Sequence, residues 1–204
     1  MSLDAVLFDL GNVLVGWQWR AALHGVLTDD EADRFVAEAD FEAVNRRLDA
    51  GWPWDEAVAH LAARDPWLGR VLAEYRHRYP LSLTGPVPGM TELVGELRLA
   101  GLRLVGLTNW SAEMWPHAVP AAPVIGSLDG VVVSGVEGVA KPDPRIFRLA
   151  AGRYGLEPAR TLFVDDHGPH VAAALALGFE AVVFTGADSL RGELVGRGVP
   201  VGAP

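Results

Sequence analysis

Hydrophobic and polar positions fall into two textures along the chain. Near the start, Ala5-Val6-Leu7-Phe8 runs straight into Asp9, with Gly11 two positions on. An apolar run this short, bounded by turn residues, predicts a strand buried on both faces. Between about residue 16 and residue 87 the pattern turns helical. Thr28-Asp29-Asp30-Glu31 has capping-box spacing and leads into a stripe of Ala32, Phe35, Val36 and Ala39. Trp54, Ala57, Val58 and Leu61 form a second stripe, and Leu68, Val71, Leu72, Tyr75 and Tyr79 a third, with Pro53 and Pro66 where helices start. The prediction is a wholly helical insertion of roughly four helices.

From Val87 onward short apolar runs alternate with helical stripes. Met90, Leu93, Val94 and Leu97 make a helix face stopped by Gly101. Leu104-Val105-Gly106-Leu107 reads as a strand ending at Thr108-Asn109, and Val131-Val132-Val133 as another. Asp143-Pro144 reads as the N-cap and first residue of a helix. Thr161-Leu162-Phe163-Val164 is a strand ending at Asp165-Asp166. A helix beginning near Val171 stops at Gly178, Ala181-Val182-Val183-Phe184 is a fifth strand, and a short helix follows Asp188. Strands alternating with helices predict an α/β fold, a doubly wound parallel sheet covered on both faces. The Gly- and Pro-rich tail from Gly196 to Pro204 reads as loosely ordered.

Composition narrows the chemistry. Half of the 204 residues are hydrophobic, enough for a sizeable core. No run is long and apolar enough for a membrane span, and the N-terminus does not have the pattern of a secretory signal. There are no cysteines, which excludes disulfides and thiolate chemistry; the expected compartment is cytoplasmic. The net charge of −9, with Lys and Arg scattered, argues against nucleic acid or an anionic membrane as partner. A small anionic substrate stays open, because a local cation can reverse the field inside one cleft.

Polar residues recur where the apolar runs end. Asp9 follows the first strand, Thr108 and Asn109 the second, and Asp165 and Asp166 the fourth; Lys141 lies just past the third. In a parallel sheet these ends share one edge, where ligands of α/β proteins bind. Each residue alone is consistent with an ordinary turn or a solvated side chain. Their recurrence at successive strand ends predicts a site.

These motifs resemble those of the haloacid dehalogenase-like hydrolase superfamily. Phe8-Asp9-Leu10-Gly11-Asn12-Val13-Leu14 matches its first motif, Leu107-Thr108-Asn109 the second, Lys141-Pro142 the third and Phe163-Val164-Asp165-Asp166 the fourth. The Asp-Leu-Gly-Asn wording, with Asn109-Trp110 and Trp115-Pro116, looks closest to phosphatases of small sugar phosphates. The resemblance implies a Rossmann-like core of residues 1–15 and 88–204 and a mobile helical cap of residues 16–87. It implies a Mg²⁺-dependent phosphatase of a small phosphorylated metabolite. Asp9 would be the nucleophile and form an aspartyl-phosphate. Asp9, the Gly11 carbonyl and Asp166 would hold Mg²⁺, with Asp165 supporting its water shell. Thr108, Asn109 and Trp110 would face the substrate, the first two at its phosphoryl oxygens. Lys141 would neutralise charge between Asp9 and the phosphoryl group.

Two positions depart from the family pattern. Phosphatases of the family usually carry a general-acid aspartate where this chain has Gly11, and an Asp or Asn where it has His170. Asp166, His167 and His170 also suggest a transition-metal site. Trp17, Trp52 and Trp110 are candidates for stacking on substrate, though packing is the commoner use of tryptophan. Arg46 and Arg47 are candidates for a substrate's polar end or for a solvated helix face. Two other functions compete: a metal-independent haloacid dehalogenase, which also lacks the second aspartate, and a non-catalytic binding protein on a degenerate phosphatase fold. The oligomeric state is not legible in the sequence.

Overall fold

The computed structural model describes residues 3–202. Strand β1 (Ala5–Phe8) is followed by the short β2 (Val15–Trp17). Five helices come next: α1 (Trp19–Leu23), α2 (Asp29–Ala39), α3 (Phe41–Asp49), α4 (Trp54–Arg64) and α5 (Pro66–His77). Strand β3 (Leu83–Pro86) returns antiparallel to β2 and closes the insertion. The chain then runs through α6 (Met90–Leu99), β4 (Arg103–Thr108), α7 (Ala118–Ala121), β5 (Gly130–Val133), α8 (Ser134–Glu137) and α9 (Pro144–Tyr154). It ends with β6 (Thr161–Asp165), α10 (Gly168–Ala176), β7 (Glu180–Val183) and α11 (Ala187–Gly196).

Five strands form a parallel sheet in the order β5-β4-β1-β6-β7, with β1 at its centre. The two-residue period of β1 divides the core. Val6 and Phe8 pack in the cluster shared with α6, α11 and the inserted helices. Ala5 and Leu7 pack on the other face with Phe147 of α9 and Phe163 of β6, whose rings meet edge to face at 5.3 Å. Burial on both faces explains why β1 is apolar at every position. No helix among the described residues is long and apolar enough to cross a membrane.

The predicted capping box is present: Glu31 N–H donates to Thr28 Oγ1, and the Thr28 N–H donates to Glu31. Asp143 caps α9 through the Arg145 N–H, as its Asp-Pro start implied.

The structure corrects three expectations. The insertion holds five helices and is bounded by a two-stranded ribbon, so it is not wholly helical. The ribbon carries no strand pattern in the sequence, because Val15-Gly16-Trp17 is too short for periodicity and β3 contains Gly and Pro, both depleted in strands. Helix α3 adds to the expected helices, with Phe41, Val44 and Leu48 as its buried stripe. The tail is docked through Gly202. Val199 is buried, and Glu96 accepts from the Gly202 N–H while paired with Arg191 of α11. Ala203 and Pro204 lie outside the described residues.

Candidate active site

The C-terminal edge of the sheet carries the predicted constellation. Asp9 leaves β1 with its N–H donating to the Val164 carbonyl of β6, so the turn stays tied to the neighbouring strand. Lys141 reaches the edge from the loop between α8 and α9. Its Nζ lies 2.8 Å from Asp9 Oδ1 and 2.6 Å from Asp165 Oδ2, and all three groups are buried. Asn109 places that lysine. Its side-chain amide donates to the Lys141 carbonyl at 2.9 Å and its Oδ1 accepts from the Lys141 N–H at 2.8 Å. The Asn109 oxygen is thereby committed to the lysine loop, and one amide N–H remains for another acceptor.

Asp165 is the most enclosed of the carboxylates. It accepts from the His167 N–H at 2.8 Å and touches His170 Nδ1 at 3.1 Å. Burial works to raise its pKa, but the His170 hydrogen bond and the Lys141 charge outweigh it and hold the carboxyl below its ordinary value. Asp9 goes the other way. Burial lifts it to about 6 against the pull of Lys141, and the Asp165 charge adds to the rise. Burial also works against the Lys141 ammonium, but the two carboxylates raise it above its ordinary value, so it stays charged.

Carboxylate oxygens of Asp9, Asp165 and Asp166 lie within 4.8 Å of one another. This is an all-oxygen donor set with more negative charge than Lys141 balances, and it fits a hard divalent cation. The Asp166 side chain is exposed at the rim, with burial and the Asp165 charge raising its pKa and a hydrogen bond from the Asn12 side chain lowering it. Asn12 itself has φ +55° and accepts from the Trp17 N–H, so the turn after Asp9 is fixed on both sides. No histidine belongs to this cluster among the described residues. His170 instead orients Asp165, and the transition-metal expectation at Asp166, His167 and His170 finds no support.

A cleft of about 150 Å³ opens above these groups, lined by Asp9, Gly11, Asn12, Asp166, Asn109 and Trp110 on one side. Trp17, Asn45, Asp49 and Tyr79 line the other, all from the helical insertion or its edges. Trp110 packs against Tyr79 and Trp115, and its buried indole N–H has no acceptor among the described residues. Thr108 is buried at the end of β4 and is not among the lining residues. Trp17 lines the cleft while its indole N–H donates to the Tyr75 hydroxyl. Trp52 stacks under Arg47 away from the cleft, and Arg46 pairs with Glu42, so neither arginine reaches the site.

Asp49 is the residue that motif matching overlooks. It ends α3, half-buried, with Asn45 one turn earlier donating to its Oδ2 at 3.0 Å. The Asp49 carbonyl accepts from Ser134 Oγ, and the Ser111 N–H bonds its carboxylate, so α3 is tied to the sheet edge at this point. The ionisable groups facing Asp49 are Asp9, Lys141, Tyr75 and Tyr79. Burial raises its pKa from 3.8 to about 7, with the Asp9 charge assisting and Ser111 and Lys141 opposing. Between those values the folded chain holds a proton that the unfolded chain has lost, so this group weakens the fold as pH rises. Asp49→Asn removes that penalty. Discounted for partial exposure, it should stabilise the protein by on the order of 2 kcal/mol near pH 8 and by much less near pH 4. Urea midpoints in the presence of chelator test this; a pH-independent difference between the two proteins contradicts it.

The chain belongs to the haloacid dehalogenase-like hydrolase family, whose model matches residues 3–178. It is 27% identical over 96% of its length to phosphatase MT3486 of Mycobacterium tuberculosis, covering 93% of that protein. It is 29% identical over 89% of its length to acyl-CoA dehydrogenase family member 10 of Mus musculus, but spans only 18% of it. Several curated relatives are likewise about twice as long as the region matched, among them (S)-2-haloacid dehalogenase 4A of Burkholderia cepacia, 28% identical over 60% of this chain and 51% of that protein. A HAD family enzyme of Bacteroides thetaiotaomicron, solved with magnesium and inorganic phosphate, shares the fold with TM-score 0.71, 19% identity, and coverage of 91% of this chain and 96% of that one.

Proposed function

We propose that this hydrolase is a Mg²⁺-dependent phosphatase acting on a small phosphorylated metabolite, with a sugar phosphate as the class its first motif favours. One observation supports the reading above others: Lys141 sits between Asp9 and Asp165 at 2.8 and 2.6 Å, with Asp166 close enough for all three carboxylates to share a cation. Three carboxylates and one ammonium leave the edge negative, so a phosphate dianion needs further positive charge before Asp9 can approach it.

In this proposal Asp9 attacks phosphorus, the bond to the leaving oxygen breaks, and an aspartyl-phosphate forms. Mg²⁺, held by Asp9, the Gly11 carbonyl and Asp166, supplies charge neutralisation for the phosphoryl group when bound. Asp165 orients Lys141, and Lys141 offsets the charge of Asp9 and the phosphoryl oxygens. Asn109 holds the lysine loop, and Trp110 forms the wall of the substrate side. Residues 1–15 and 88–204 form the catalytic core and 16–87 a cap, whose Trp17, Asn45, Asp49 and Tyr79 complete a small cleft and keep water out.

The dehalogenase reading meets a specific obstacle. The cleft is lined by Asp9, Asp49 and Asp166, and among the described residues no arginine or lysine lines it to receive a haloacid's carboxylate. With Mg²⁺ the protein should release phosphate from an aryl phosphate, stop when a chelator is added and recover when Mg²⁺ is restored. Chelator-insensitive halide release from a chloropropionate would reverse the assignment.

A further inference from the structure

We propose that Asp49 is the acid that protonates the leaving oxygen, supplied from α3 because the loop after Asp9 carries no carboxyl at Gly11. The inference rests on the phosphatase reading above. A carboxyl at position 11 would be held by the same turn as the nucleophile; here that position lines the cleft without a side chain. Asp49 lines the same cleft from the opposite wall.

The remaining ionisable groups of the cleft are committed elsewhere. Asp9 is the nucleophile, and Asp166 belongs to the carboxylate cluster. Burial pushes the Tyr79 hydroxyl well above its ordinary value, which makes it a poor donor to an alkoxide at neutral pH. His170, whose ring meets the Asp165 carboxylate, is bonded there and is not among the lining residues. Asp49 is the carboxyl left over. Its seating is built: Asn45 and Ser111 hold the carboxyl, and Ser134 holds its carbonyl, so the group is aimed by α3 and by the sheet edge together. Its elevated pKa keeps a large share of it protonated near neutrality, as an acid requires.

The step balances without another reagent than water. As Asp9 bonds to phosphorus and the phosphorus–oxygen ester bond breaks, the leaving oxygen takes the Asp49 proton and departs as an alcohol. The Asp49 carboxylate then takes a proton from the water that attacks the aspartyl-phosphate. Inorganic phosphate leaves, and Asp9 and Asp49 return to their starting states.

The experiment compares two esters, dinitrophenyl phosphate, whose leaving group needs no proton, and glycerol phosphate, whose alkoxide does. Asp49→Asn, which keeps the shape and the Asn45 contact, should cut glycerol phosphate turnover by about 10²–10⁴-fold and dinitrophenyl phosphate turnover by less than about tenfold. The alkaline fall of kcat for glycerol phosphate should disappear in the variant. Adding Gly11→Asp to Asp49→Asn should restore the alkyl ester selectively. A Cβ at Gly11 meets nothing within 4 Å, and Gly11 is not among the glycines with positive φ, so the new carboxyl can be seated there. Equal losses on both esters, or equal recovery of both in the double variant, would overturn the proposal, because a role in folding or binding does not depend on the leaving group. A wild-type protein that hydrolyses neither ester overturns the phosphatase reading itself, a result the variant comparison cannot mimic.

Discussion

Asp9→Asn should abolish the proposed phosphate-ester turnover, by about 10⁴-fold or more, and leave the protein folded. The expectation follows from where Asp9 sits. It leaves the central strand at the sheet edge, 2.8 Å from Lys141, in contact with the cleft. An amide cannot attack phosphorus or form the acyl-phosphate, so no neighbouring group compensates. The fold tolerates the change because burial already disfavours the Asp9 charge, and asparagine keeps the size and the backbone hydrogen bond to Val164. Steady-state kinetics and circular dichroism on the same preparation check both halves; turnover within tenfold of wild type contradicts the assignment.

Lys141→Met should damage the fold as well as the chemistry. Lys141 is the ammonium placed between Asp9 and Asp165, and its removal leaves two buried carboxylates facing each other. Removing one partner of a buried ion pair typically costs about 3–5 kcal/mol, because the remaining charge has lost its compensation. His170 still contacts Asp165, so the burden falls mainly on Asp9. Chemical denaturation in the presence of chelator measures this without a cation standing in for the lysine. Activity should fall by roughly 10³-fold, the scale expected when one charge-stabilising group is lost from a preorganised site. A variant as stable as wild type contradicts the picture of Lys141 as the compensating charge.

Much of this site is legible in the sequence because its members are tied to strand ends. Asp9, Asn109, Asp165 and Asp166 follow apolar runs directly, and a parallel sheet brings those ends to one edge whatever the details of packing. Lys141 is one step harder: it lies in a loop after α8, and its aim follows from the paired hydrogen bonds exchanged with Asn109. That clamp also shows that Asn109 positions the lysine, which the motif alone does not say.

Asp49 and Asn45 belong to the other category. Their helix could have been found from Phe41, Val44 and Leu48, yet nothing local marks Asp49 as different from any exposed helix-end aspartate. What makes it part of the cleft is tertiary: Ser134 and Ser111, some sixty to eighty-five residues away in sequence, dock the end of α3 onto the sheet edge. The docked tail was hidden for the same reason. Gly- and Pro-rich residues read as loose until Glu96, on α6, supplies an acceptor for the Gly202 N–H.

The assignment of Asp9 as a phosphoryl-accepting nucleophile is tested most directly by the mass of the peptide that carries it. Protein quenched in acid during turnover of an aryl phosphate with Mg²⁺ should show that peptide heavier by one phosphoryl group. The adduct should be absent in chelator and in Asp9→Asn. Turnover with no adduct on Asp9, or an ester of a 2-haloacid at Asp9 in place of a phosphoryl group, would contradict it.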